Sequence, residues 1–128
     1  MMAPVLNRRL ILEEAQRSAD GSGGFARVWT PLGVHWGEVR PATGRETGGE
    51  SVTLSRVGYR IRVRGAPVGA ASRPRPEQRF REGGRVFVIE AVTEADPEGQ
   101  YLLCYAREEV VAWAMERQPR FRRLSISV

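Results

Sequence analysis

The sequence predicts a mainly β protein: a small antiparallel barrel or sandwich of about six strands, followed by a short C-terminal helix. Three observations lead there. The dominant hydrophobic period is two residues, that of a strand with one buried face. The apolar runs are short and separated by clusters of Gly, Pro, Asp and Ser. The chain has 128 residues, enough for one domain of ordinary size. At that length a closed or two-layered sheet disposes best of its edges.

The clearest strand is residues 57–64. Val57, Tyr59, Ile61 and Val63 fall on one face, and Gly58, Arg60, Arg62 and Arg64 on the other. Residues 85–92 are β-branched and aromatic, and apolar on both faces through Ile89, which suits a central strand. A turn cluster with Pro97 and Gly99 follows, and residues 100–107 read as the return strand of a long hairpin. Upstream, residues 8–17 form a strand centred on Leu10, Ile11 and Leu12, and residues 18–24 a turn. Residues 25–30 are a further strand. Pro31, Leu32 and Gly33 read as a break, and residues 34–40 as another strand ended by Pro41.

Residues 41–51 and 65–82 read as loops, the first rich in Gly and the second carrying Pro67, Pro74 and Pro76 among arginines. Residues 108–118 place Val110, Trp113 and Ala114 at helical spacing until Pro119. The remaining tail is basic, then alternating, and suits a docking strand or a disordered arm. The expected organisation is a barrel domain over 1–109 and an extension over 110–128.

Composition excludes several classes. No apolar run approaches the ~20 residues of a membrane span, and the N-terminus lacks the apolar stretch of a signal peptide. With one cysteine, Cys104, and one histidine, His35, neither a disulfide framework nor a His/Cys metal cluster is expected within one chain. All 20 basic residues are arginine, against 15 acids, for a net charge of +5. Arginine suits buried interfaces and phosphate contacts, although a GC-rich genome explains the bias more simply.

No catalytic constellation emerges, so neither an enzyme nor a cofactor is expected. The Gly-x-Gly at Gly21 and Gly23 lacks the strand–helix context of a nucleotide loop. His35 has no evident nucleophile partner. Cys104 alternates within an apolar strand, as a small hydrophobe does. The carboxylate pairs Glu13–Glu14 and Glu108–Glu109 read as solvated faces. Trp29 and Trp36 are expected in the core, and Trp113 in the core or at an interface.

The strongest positive feature is the row of Arg60, Arg62 and Arg64, spaced about 6.7 Å apart. Like charges in a row call for an anionic partner. Carboxylates of a neighbouring strand, carboxylates of another subunit, or phosphate would each serve. A single-stranded nucleic-acid-binding barrel is the alternative reading, weakened because no aromatic residue interleaves with these arginines.

Several segments together carry a family resemblance. They are the opening strand Leu6-Asn7-Arg8-Arg9-Leu10-Ile11-Leu12-Glu13, the turn Asp20-Gly21 with Gly23-Gly24, and Trp29. Val34-His35-Trp36-Gly37-Glu38-Val39, Gly44-Arg45-Glu46 and Tyr59-Arg60-Ile61-Arg62-Val63-Arg64 follow in order, and the hairpin of residues 85–92 and 101–104 closes the series. In their order and spacing the chain resembles the phage head–tail joining proteins, small β-rich connector or stopper proteins. It is most similar to the version found in gene transfer agents. The match spans residues 6–109, and residues 110–128 extend past the usual family terminus.

The resemblance implies a structural virion protein. Copies of it would form a homo-oligomeric ring below the portal and adaptor proteins, help close the DNA channel, and dock the tail terminator or tail tube. It implies packaged double-stranded DNA nearby, no membrane partner, and assembly of the particle in the bacterial cytoplasm. On this reading Arg60, Arg62 and Arg64 face a neighbouring subunit or DNA. The glycine-rich 41–51 loop, with Gly44, Arg45, Glu46, Gly48 and Gly49, constricts the lumen. The stiffer 65–82 segment, through Arg73, Arg75 and Arg79, together with Trp113, docks a partner.

Overall fold

The computed structural model describes residues 3–42 and 58–109. Six strands run β1 (Arg8–Ala19), β2 (Phe25–Pro41), β3 (Gly58–Arg64), β4 (Arg79–Glu82), β5 (Arg85–Glu94) and β6 (Tyr101–Glu109). Every pairing is antiparallel, and the strands close into a barrel in the order β1-β2-β3-β6-β5-β4.

The alternation read from the sequence sets the inner face. Leu10, Leu12, Ile61, Val63, Phe80, Phe87, Ile89, Leu102, Cys104 and Ala106 fill the barrel, with Leu32, Val39, Tyr59 and Val92 packed against them. Residues 65–78 pass over one end, where Pro74 is fully buried. Gly65 sits so close to the β5–β6 turn that a Cβ there would overlap the Gly99 carbonyl oxygen. Its own N–H donates to the Gln100 carbonyl at 2.7 Å.

Four expectations are corrected. Pro31, Leu32 and Gly33 do not break the chain into two strands. Leu12 pairs with Gly33 and Glu13 with Pro31, so Leu32 is the extra residue of a bulge inside one long β2. The bulge lies next to Pro31, which has no N–H to donate to the ladder. The 65–82 loop contains β4, whose Phe80 points into the core. Trp36 is outside the core, 53% exposed, because Gly37 and half-buried His35 take the inner positions beside it. Trp29 is half-buried on an outer surface. Finally, Glu108 and Glu109 belong to β6, not to a helix. The rest of the expected helix lies outside the described residues.

β1 and β2 outrun the barrel. β1 pairs with β4 only at Ile11, Leu12 and Glu13, and β2 with β3 only from Gly37 to Pro41. Residues 14–19 and 25–30 therefore pair only with each other among the described residues, as a two-stranded arm about 20 Å long. At its tip Asp20 accepts from the N–H groups of Ser22 and Gly24, at 2.8 and 3.1 Å. Gly21 and Gly23 supply the positive φ that the turn requires.

Candidate functional site

The arginine row lies on the outer face of β3. Arg62 stands opposite Glu38 of β2 and pairs with it at 3.5 Å. Arg40 approaches the same carboxylate at 3.4 Å, and the Val5 N–H donates to it at 3.1 Å. A neighbouring strand thus supplies one of the expected carboxylates. Arg60 stands opposite Arg40 and has its guanidinium 5.8 Å from the Tyr105 ring centre. Arg64 is exposed at the strand end. A cleft of about 520 Å3 adjoins this face, between Arg40, Arg62, the N-terminal Pro4 and Val5, and Asp96 and Tyr101 of the β5–β6 side.

The arginines of 65–82 divide. Arg73 donates to the Ala66 carbonyl at 2.9 Å and closes its own loop. Arg75 and Arg79 come together against β1. Arg75 pairs with Glu14, and Arg79 with Glu13 at 2.7 Å. Arg81 holds the other oxygen of Glu13 at 2.8 Å. Glu13 is only 4% exposed, so this carboxylate is no solvated face. Burial pushes its carboxyl up, but hydrogen bonds from Arg81 and Arg79 outweigh that and hold it below the ordinary value. The Arg79 guanidinium also stacks 4.0 Å from the centre of Trp29. The expected lumen residues Gly44, Arg45, Glu46, Gly48 and Gly49, and the docking residue Trp113, lie outside the described residues.

A second network escaped sequence reading altogether. At one end of the barrel Arg8 of β1 grips Glu82 of β4 through two hydrogen bonds of 2.5 and 2.6 Å. Arg85 of β5 grips Glu108 of β6 at 2.8 and 3.0 Å, and donates to the Tyr59 hydroxyl of β3 at 3.1 Å. Five strands thus meet in one layer of charge over Phe87, whose ring packs edge-on to Tyr59 at 5.2 Å. The hydrogen bonds from Arg8 and Arg85 lower the carboxyls of Glu82 and Glu108, and the carboxylates in turn raise both guanidiniums. The outer carboxylate pair 108–109 was the only trace of this in the sequence, and its partners lie far away in the chain.

His35 is half-buried on β2, and Cys104 is buried in the core. Burial lowers His35, whose ring meets Phe80 edge-on at 5.9 Å. Burial pushes the Cys104 thiol up to about 12. Among the described residues no group of three His, Cys, Asp or Glu is placed to hold a metal ion.

The arrangement is a side-chain-filled β-barrel, tied at one end by ion pairs, that offers a charged face and a protruding arm for contact. Comparison with known proteins makes this specific. Residues 1–109 match the phage head completion proteins, and the chain belongs to that family. Among solved structures it is similar to a chain of the virion of a native gene transfer agent particle. The two are 60% identical, with a TM-score of 0.69 over 85% of this chain and 99% of that one. Protein SF1141 from Shigella flexneri 2a, 19% identical, shares the fold with a TM-score of 0.62 over 84% of this chain and 96% of its own. No curated protein matches.

Proposed function

We propose that the chain is a structural protein of the head–tail connector of a phage-like particle. Identical copies form a ring below the portal and adaptor, help to close the DNA channel, and dock the tail. The observation that carries this is the family match over 1–109 together with the 60% identical chain in a gene transfer agent virion. The work is positional, not enzymatic: a stiff filled barrel holds surfaces in register, and the particle assembles in the bacterial cytoplasm.

The connection between β2 and β3 is the part of the chain assigned to the channel. The Ala42 N–H donates to the Gly58 carbonyl at 2.8 Å, so the chain leaves and re-enters the barrel at one clamped point. That point adjoins Tyr59 and the ion-paired end of the barrel. In this reading Gly44, Arg45, Glu46, Gly48 and Gly49 constrict the channel beside the packaged DNA, and residues 110–128 form a separate extension.

Deletion of the gene followed by electron microscopy of the particles tests the reading. Separate tails and DNA-leaking heads are expected. Intact, transducing particles overturn it, and a salt-titrated oligonucleotide-binding assay then tests the nucleic-acid-binding alternative.

A further inference from the structure

The tip of the β1–β2 arm carries an aromatic ring and an uncompensated cation as one unit. Arg17 stacks on Phe25, 4.2 Å from the ring centre. Phe25 is nevertheless 63% exposed. Arg17 is exposed too, and pairs with no carboxylate among the described residues. Arg27 stands directly opposite it in the ribbon. Like charges so placed repel, and an anion beside Arg17 would relieve them. A two-stranded ribbon is also marginal alone in water. The tip therefore calls for a partner with an apolar wall and a carboxylate. DNA would supply an anion for Arg17 but no wall for Phe25.

The cleft of about 520 Å3 beside the arginine row offers both. Its apolar wall is Pro4, Val5, Ala95 and Tyr101, and Val5 is 60% exposed. Its own cations are engaged, because Arg40 and Arg62 both pair with Glu38. Asp96 and Glu98 line the same cleft without a cation partner among the described residues. Three carboxylates against two guanidiniums leave the cleft one negative charge in excess, and Arg17 brings one positive charge. The turn that carries Asp96 and Glu98 is fixed in advance. Asp96 accepts from the N–H groups of Gln100 and Tyr101 at 3.1 and 2.9 Å, and the Ala95 N–H donates to the Tyr101 carbonyl at 2.9 Å. Those bonds leave the carboxylate charge and further lone pairs free for a guanidinium.

The placement of the two patches suits a ring. No residue belongs to both. In the closed strand order β6 lies three strands from β1, and β5 three strands from β2, whichever way they are counted. The arm and the β5–β6 turn therefore leave opposite sides of the barrel. They leave from the same end, since β1 starts at Arg8 and β5 at Arg85, both in the ion-paired layer, and both strands run away from it. Two different patches on opposite sides are what a head-to-tail cyclic contact requires, and a common end lets it close as a ring instead of climbing as a filament.

We infer that the arm tip of one copy seats in this cleft of the next copy, with Phe25 against Val5 and Tyr101 and Arg17 beside Asp96 and Glu98. The inference rests on the ring reading above and names its interface.

The test uses assembled particles carrying p-benzoylphenylalanine in place of Phe25, irradiated and then analysed by mass spectrometry. Multimers of this chain, with cross-links mapping to residues 3–5 or 95–101, are expected. Cross-links elsewhere in the chain, to a different virion protein or to DNA, or none at all, overturn the inference while leaving the ring reading intact. Absence of the chain from the head–tail joint overturns both. Charge reversal supplies a second readout. Arg17→Glu and Glu98→Arg are each expected to keep the circular dichroism spectrum of the parent and to lower the yield of joined particles about tenfold or more. The two changes combined in one chain are expected to restore it. Unchanged yield in the single variants, or no recovery in the double one, overturns the inference.

Discussion

Arg79 and Trp29 are stacked at 4.0 Å, and that contact joins the protruding arm to the barrel wall. The same guanidinium holds buried Glu13 at 2.7 Å. The two substitutions therefore differ. Trp29→Ala removes a stack worth about 1 kcal/mol and frees the arm, so amide exchange should quicken at residues 14–19 and 25–30 with little change in global stability. Arg79→Ala also leaves Glu13 with Arg81 alone and should cost about 2 kcal/mol in urea unfolding. Equal effects of the two changes would refute this division.

Acid should weaken the barrel in two stages. His35 is held below its ordinary value of 6.5 by burial, so the folded state favours the neutral ring, and stability is lost as the pH falls below that value. Glu13, Glu82 and Glu108 are all held below 4.5. Their contribution is present above that pH and is lost as the pH falls through their lowered values. Thermal melts should show a shallow decline below about 6.5 and a steeper one below about 4.5. Glu82→Gln with Glu108→Gln should flatten the second stage.

Cys104 should resist alkylation in the native protein. Its thiol is fully buried and pushed up to about 12, so almost no thiolate exists at neutral pH. Iodoacetamide labelling should proceed only at the rate of global unfolding. Fast labelling without denaturant would show that β6 opens locally.

Gly65→Ala should be among the most damaging small changes in the chain. The added methyl meets the Gly99 carbonyl oxygen, which belongs to backbone and cannot swing away. A loss of about 2 kcal/mol or more is expected in urea unfolding, against a few tenths for Gly84→Ala, where the site is open.

Much of the barrel was legible because its central strands obey one rule. In β3 the alternation put Ile61 and Val63 on one face, and in β6 it marked Cys104 as a small hydrophobe; all three are buried. The rule weakens where a strand is charged on its inner face or takes up an extra residue. Short β4, with the sequence Arg-Phe-Arg-Glu, offers one apolar side chain and looks like part of a basic loop. The bulge at Leu32 shifts parity midway along β2, so Pro31 reads as a break and the tryptophans read as core. The ion-paired barrel end is illegible for another reason. Arg8 and Glu82 are 74 positions apart, and no local pattern reports a contact made only when the sheet closes.

Closure itself hangs on a short zip. β1 meets β4 over three residue pairs, Ile11 with Arg81, Leu12 with Phe80 and Glu13 with Arg79. The bridges from Arg79 and Arg81 to Glu13 and from Arg8 to Glu82 all cross this line. The cylinder is thus a curled sheet fastened along one narrow hem, with electrostatic rivets where the hydrogen-bond ladder is thinnest. A pull on the arm is delivered to that hem through Glu13, so the part of the molecule that reaches outward is anchored at the place where the barrel is most readily undone.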